Sequence, residues 1–366
     1  MNITFVMDGG DNLSGGHRAI AMFAHGLGQL GHRVTLVARP KRSPSLRDRA
    51  RWLLKGTGGV GDPKQKPSYF EALGLHLRIL PNWRPIQDRD LPDADIVLAT
   101  WWETLEWVHR LNPAKGVKIH FMQDYEIWGG PAEKVELSYS VPMPRIVTAE
   151  WLGDLMQRQF QQAPIAIIPY GVDLQAFHAP VRSKPSAPTV GLTYSNARHK
   201  GSDISIQAYR LAHKALPELR LLACGNTRVP SDLPLPEGAR YEAWASEGTL
   251  RELYSQCDAW LFGTRREGFG LPILEAMACR TPVIGTPAGA APQLLRDGAG
   301  VLVRPEDPED MAKAILQVCR LPDAEWRRMS TAAHAKASIH TWEKGTCAFE
   351  RALRKVVENT DRHVRV

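Results

Sequence analysis

The chain has 366 residues, enough for two domains of ordinary size. It is 43% hydrophobic and 23% charged, the balance of a globular protein rather than a disordered or fibrous one. A net charge of +7 and a pI of about 9.2 favour an anionic partner: a nucleotide, an acidic membrane surface or nucleic acid.

No stretch reaches the ~18 uninterrupted apolar residues of a membrane-spanning helix. The opening residues have neither a basic leader nor a cleavage site, so they read as a first strand in a cytoplasmic protein. Five cysteines (Cys224, Cys257, Cys279, Cys319 and Cys347) show no CxxC or Cys/His ligand spacing. Reduced thiols and no metal site are expected.

In chain order, Ile3–Met7 is predicted as a strand. A Gly-rich turn, Gly9 to Gly16, follows. A helix then runs from His17 to Leu30, with Ala19, Ile20, Phe23, Leu27 and Leu30 on one face. Gly31-His32 ends it, and Val34–Ala38 is the next strand. Strand, helix, strand implies a parallel sheet. Ile96–Ala99, Lys118–Met122, Arg145–Thr148 and Ile165–Ile168 are further strands. A stretch rich in Pro and polar residues, Ala179 to Pro188, reads as a linker.

Alternation restarts with strands at Thr189–Leu192, Arg220–Cys224, Ala259–Phe262 and Pro282–Gly285. Helices are predicted at Asp203–Ala215, Leu250–Gln256, Pro272–Cys279 and Asp310–Cys319. The expected fold is α/β: two doubly wound Rossmann-like domains, 1–178 and 188–337, facing across a cleft. Ligands of such sheets sit beyond the carboxyl ends of the strands.

The strongest motif is Arg265-Arg266-Glu267-Gly268-Phe269-Gly270-Leu271-Pro272-Ile273-Leu274-Glu275-Ala276-Met277-Ala278. It follows a strand and opens a helix, with Pro272 in the first turn. Gly268 and Gly270 permit close backbone approach, and the helix N-terminus offers N–H groups to an anion. Glu275 can accept hydrogen bonds from vicinal hydroxyls, as on a ribose. Glu267, near a diphosphate, needs hydroxyls or a cation, and Arg265 or Arg266 is the neighbouring choice. The plain alternative is a capped helix with a solvated charge run.

A second cluster, Tyr194-Ser195-Asn196-Ala197-Arg198-His199-Lys200-Gly201, follows a strand. Lys200 and Arg198 can stabilise the charge that grows on a leaving diphosphate; a solvated basic turn is the alternative. His120-Phe121-Met122-Gln123-Asp124-Tyr125-Glu126 ends a first-domain strand, with His120 read as structural. Trp101-Trp102-Glu103 suits either sugar stacking or core packing.

Arg39 to Lys66 carries nine basic residues against two acids. A basic helix over Arg47–Lys55 with Leu46, Trp52, Leu53 and Leu54 would suit an anionic membrane surface or a solvated loop. No aromatic-and-glycine recognition motif supports nucleic acid. The missing GxGxxG in the first turn and the missing acid at the second-strand end for an NAD ribose argue against a dehydrogenase.

The Glu-Gly-Phe-Gly-Leu-Pro-x-x-Glu-Ala-Met-Ala segment resembles the signature of the retaining glycosyltransferases of family 4, which have the GT-B fold. Thr281–Gly285, Gly298–Val303, Gly15-Gly16, Gly31–Val34 and Ile168–Asp173 are also similar to that family, so the resemblance covers nearly the whole chain. It implies a hexosyltransferase-type enzyme of polysaccharide biosynthesis, cytoplasmic and membrane-associated. The sugar would pass from a UDP, GDP or dTDP donor to a glycan or lipid-linked acceptor, with retention, no metal and no cofactor.

By the resemblance, Glu267 with Lys200 and Arg198 is catalytic. Gly16, Gly268, Phe269, Gly270, Leu271 and Glu275 bind the donor, with Glu275 on its ribose. Trp101, Trp102, Gln123 and Asp124 are acceptor candidates. The chain after about Ser338, the 338–366 helix, is expected to pack back on the first domain. The family's usual arginine five before the lysine is Ser195 here. Its usual histidine before the aspartate is Gln123, and Gln-Asp-Tyr-Glu resembles a rhamnan-type branch. The alternatives are a non-catalytic nucleotide- or carbohydrate-binding protein of this fold, an epimerase or a phosphorylase.

Overall fold

A computed structural model of the protein describes residues 1–9, 14–41, 68–184 and 186–364. The basic helix expected over 47–55, and with it residues 42–66 of the candidate membrane segment, lies outside them.

Two compact units result. Unit 1 comprises Met1–Val147, Met156–Ala166 and Thr346–Val366; unit 2 comprises Thr148–Leu155 and Ile167–Gly345. The Pro-rich stretch expected to link two domains lies within unit 2. It is pinned there: the Arg182 guanidinium donates to the Cys257 carbonyl at 2.6 Å and stands 4.5 Å over the Trp326 ring.

In unit 1 the strands are β1 (Asn2–Met7), β2 (Arg33–Ala38), β3 (Leu77–Ile79), β4 (Ile96–Ala99), β5 (Val117–Met122), β6 (Arg145–Val147) and β7 (Ala166–Ile167), in the spatial order β3-β2-β1-β4-β5-β6-β7. β1 lies parallel to both β2 and β4, with Ile3 opposite Val34 and Ile96. β1, β4 and β5 read as near-continuous apolar runs because helices cover both faces of a parallel sheet.

The Gly15–Gln29 helix buries Ala19, Ile20, Phe23, Ala24 and Leu27. Leu30, expected on that face, is 43% exposed because it is the C-cap, where the chain leaves the helix axis. Phe349, from the Trp342–Val364 helix, stacks on Phe23 with ring centroids 4.9 Å apart and meets Phe121 edge-on at 5.0 Å. His32 bonds Glu350 at 3.0 Å.

In unit 2 the strands are β8 (Thr189–Tyr194), β9 (Arg220–Gly225), β10 (Arg240–Ala243), β11 (Ala259–Phe262), β12 (Val283–Gly285) and β13 (Gly300–Leu302), in the order β10-β9-β8-β11-β12-β13. Every pair in this sheet is parallel. Its core joins Val190, Leu192, Leu221, Leu261 and Ile284 to Ile315 and Trp326 from the covering helices. In both sheets the strand order reverses beside the first strand, between β1 and β4 and between β8 and β11. Ligands of open α/β sheets bind at such points.

Asp258, before β11, is fully buried. One of its oxygens accepts from the Thr189 amide at 2.7 Å, and the Lys184 ammonium stands 4.0 Å from the other. Burial pushes its carboxyl up to about 6. The native state therefore holds a proton that the unfolded chain releases near pH ~4. The stability this proton confers is full below pH ~4 and is lost as pH rises through about 6. Asp258→Asn is expected to remove roughly 2–3 kcal/mol of pH dependence between pH 4 and 7. Urea midpoints across that range test this; a variant with the wild-type slope would refute it.

Candidate functional site

In unit 2 the loops after β8 and β11 meet where the strand order reverses. The first runs through a 3-10 turn, Arg198–Lys200, into the Ser202–Ala215 helix. The second runs from Gly263 to Gly270 into the Leu271–Ala278 helix.

The His199 carbonyl joins the two loops, accepting from the Arg265 amide at 2.8 Å and from the Thr264 hydroxyl at 3.0 Å. Arg265 adds a second clamp. Its guanidinium is bidentate to Asp203 at 2.7 and 2.8 Å, donates to the Arg198 carbonyl at 2.7 Å, and pairs with Glu306.

Gly201 lets the loops close. Its φ is +63°, and a Cβ there would lie 1.8 Å from the Gly263 carbonyl oxygen. Gly201→Ala combines a left-handed alanine with a backbone clash, so a loss of about 1–3 kcal/mol is expected. The loop carrying Lys200 should shift with it. Denaturant midpoints and nucleotide-induced stabilisation measure both; wild-type values for both would refute the close approach.

This scaffold sets the Lys200 ammonium 2.7 Å from a Glu267 oxygen, the side chains 39% and 19% exposed. Lys200 is thus a cation on Glu267. Arg265, one of the two arginines expected there, is committed to Asp203 and Glu306. Arg198 gives its carbonyl to Arg265, and its side chain is exposed.

Glu275 lies in the Leu271–Ala278 helix, 5% exposed, and accepts from the Tyr254 hydroxyl at 2.9 Å. Burial and then the Glu275 carboxylate raise Tyr254 well above the usual phenol range, so this O–H stays a donor. Burial, then Glu275, pushes the Cys224 thiol at the end of β9 up to about 12.

Gly268, Phe269 and Gly270 are buried, and Gly270 caps the helix with φ +101°. The loop after β12 packs on them. A Cβ at Gly289 would lie 2.6 Å from the Phe269 carbonyl oxygen and 3.1 Å from the Glu267 Cβ. Leu271 opens the helix, 9% exposed.

Sequence reasoning missed Tyr254, Gly289, the His199 carbonyl and Trp151, whose indole N–H donates to the Gly268 carbonyl at 2.9 Å. Gly289 alone left a trace: a Pro-Ala-Gly turn after a strand.

In unit 1, Gly16 stands in the first turn of the Gly15–Gln29 helix, which Ser14 caps. A Cβ on Gly16 would lie 3.5 Å from Gln123 Oε1, so two of the candidates meet. Asp124 accepts from the Tyr125 amide at 2.8 Å. Buried Glu126 accepts from the Trp102 amide at 2.7 Å, and burial raises its carboxyl well above the usual range.

Trp101 and Trp102 are half-buried, and Gly129 and Gly130 press on their indoles. A Cβ at either glycine would come within 2.6 Å of a ring. Both indole N–H groups are buried without a hydrogen-bond partner among the described residues. His120 is 1% exposed on β5, a core position.

Arg39 departs from its expected place on a basic membrane face. It is 4% exposed, pairs with Asp8 and Glu103, and lies between the Trp83 and Trp107 rings at 4.5 and 4.6 Å. Two carboxylates and two indole faces hold the guanidinium better than an exposed loop can. No helix among the described residues is long and apolar enough to cross a membrane.

Residues 187–320 match the model of the family described as glycosyl transferases group 1. This matched segment contains Lys200, Glu267 and Glu275. The chain is 36% identical to the O-antigen chain mannosyltransferase B of Escherichia coli over 29% of this chain and 28% of that protein. It is 27% identical to the D-inositol 3-phosphate glycosyltransferase of Mycobacterium marinum over 53% of this chain and 46% of that one. The chain spans about half or less of the length of the curated relatives it matches.

Among solved structures it resembles Anabaena Alr3699/HepE in complex with UDP-glucose, with a TM-score of 0.72 and 17% identity, covering 97% of this chain and 100% of that one. It also resembles sucrose-phosphate synthase from Thermosynechococcus elongatus, with a TM-score of 0.71 and 16% identity over 98% and 100%. These likenesses show the fold: two Rossmann-like parallel-sheet units of the GT-B class.

Proposed function

We propose that this chain is a glycosyltransferase that takes a sugar from a nucleoside diphosphate and passes it to a glycan or lipid-linked acceptor. The observation that carries this reading is the Lys200–Glu267 pair, at 2.7 Å where the strand order of unit 2 reverses. A buried Glu275 and the N-terminus of the Leu271–Ala278 helix accompany it.

Glu275 would hold the ribose through two hydroxyls. The Phe269 and Gly270 amides and Glu267 would meet the sugar. Lys200 would turn from Glu267 to the departing phosphate. As the bond from the anomeric carbon to that phosphate breaks, negative charge collects on its oxygens, and a cation fixed nearby lowers the barrier. The acceptor hydroxyl forms the new bond and gives its proton to the same phosphate. That path needs no protein base and retains the anomeric configuration.

Gly16 would turn an amide to the donor phosphate at a helix N-terminus. Trp101, Trp102, Gln123 and Asp124 would receive the acceptor. The Escherichia coli relative's name makes a polysaccharide precursor one acceptor to test.

Thermal unfolding with UDP, GDP, dTDP and ADP, each free and as a nucleotide sugar, tests the reading. A true ligand at ~100 times its Kd should stabilise by about 2.7 kcal/mol. Chromatography should then show nucleoside diphosphate released as sugar appears on the acceptor. A panel in which no nucleotide shifts the transition would overturn the proposal.

A further inference from the structure

The loop that precedes the Leu271–Ala278 helix has its carbonyls tied down on one side. The Trp151 indole N–H, at the start of the Glu150–Phe160 helix, donates to the Gly268 carbonyl at 2.9 Å. The Ala290 amide donates to the Phe269 carbonyl at 2.8 Å. In a planar trans peptide the N–H points opposite to the C=O. Fixing these two carbonyls therefore aims the N–H groups of Phe269 and Gly270 the other way.

Both residues are buried, and among the described residues no backbone or side-chain oxygen accepts from either amide. Buried amides without a partner are rare in folded chains and call for an acceptor from outside.

Trp151 is itself held in place. The Glu150 amide donates to Gln293 Oε1 at 3.1 Å, and Arg296 pairs with the Glu150 carboxylate at 2.8 Å. All these residues belong to unit 2. Phe269 cannot swing the loop freely, since its ring is 1% exposed and packs 4.9 Å from Tyr170.

We propose that Trp151 is a positioning residue for the donor sugar: its indole N–H, through the Gly268 carbonyl, aims the Phe269 and Gly270 amides at the hydroxyl oxygens of the sugar being transferred. The proposal rests on the glycosyltransferase reading above and deepens it. A bare nucleoside diphosphate lacks those hydroxyls, so its affinity does not depend on Trp151.

The test is Trp151→Phe, which keeps an aromatic ring in a half-buried place while removing the indole donor. Affinities are measured for UDP and UDP-glucose, GDP and GDP-mannose, dTDP and dTDP-rhamnose, and ADP and ADP-glucose, using whichever pair binds the wild type. The ratio of the nucleotide-sugar Kd to the nucleotide Kd should rise about tenfold, the weight of roughly one or two hydrogen bonds. The nucleotide Kd itself should stay within about twofold. An unchanged ratio overturns the proposal, and so does an equal loss for both ligands, which would mark a loop that has merely loosened. Trp151→Leu, which also lacks the donor, repeats the measurement if the Phe variant does not fold. Failure of every nucleotide to bind the wild type would instead overturn the glycosyltransferase reading.

Discussion

Lys200→Ala is expected to slow sugar transfer by about 10²–10³-fold, the usual cost of removing one preorganised group that faces charge developing in the transition state. Nucleoside diphosphate affinity should fall much less, because the charge on the departing phosphate grows as the bond breaks. Stability should change by less than about 1 kcal/mol, since the partner pair is partly exposed. Lys200→Arg should restore little, because a planar fork cannot occupy the place of a compact ammonium held at 2.7 Å by Glu267. Transfer rates, nucleotide Kd and melting temperature separate these effects. A variant that turns over at the wild-type rate removes Lys200 from the chemistry.

Glu275→Ala should weaken nucleotide binding by about 10–100-fold, as hydrogen bonds to a charged group contribute roughly 1.5–3 kcal/mol each. The carboxylate is well prepared for that role: it is 5% exposed, and Tyr254 holds one oxygen at 2.9 Å. Tyr254→Phe should cost less, because it loosens the carboxylate without removing it. Calorimetry with the nucleotide that stabilises the wild type decides the matter. Equal affinity in Glu275→Ala and wild type would mean that Glu275 serves packing alone. The folded stability of Glu275→Ala matters as a control, since the substitution strands the buried Tyr254 hydroxyl.

Much of the architecture was legible along the chain. β1, β4, β5, β8, β9 and β11 are strands buried on both faces, so each appears as an apolar run. β3 and β10 escaped notice for the converse reason. They are edge strands with sequences Leu-Arg-Ile and Arg-Tyr-Glu-Ala, half solvated and without a continuous apolar signal. The helix Asp323–Ser338 was also missed, because charged and polar residues interrupt its apolar face, and so was Glu150–Phe160, although its apolar face is continuous.

By itself the sequence determined which residues stand at strand ends: the Lys200-Gly201 turn, the glycine loop with Glu267, and Glu275 one turn into a helix. Those are local facts, set by apolar runs, by glycines that bend freely and by a proline that suits a first helical turn. Only the tertiary structure decided which of these residues meet. Lys200 rather than Arg265 faces Glu267, because β8 and β11 lie side by side and Arg265 is drawn to Asp203 and Glu306. Arg39 turned inward to Asp8 and Glu103, and Trp151 reached a carbonyl more than a hundred residues away. Partners so distant along the chain leave no spacing to read, since their approach depends on sheet order and on the packing of whole helices.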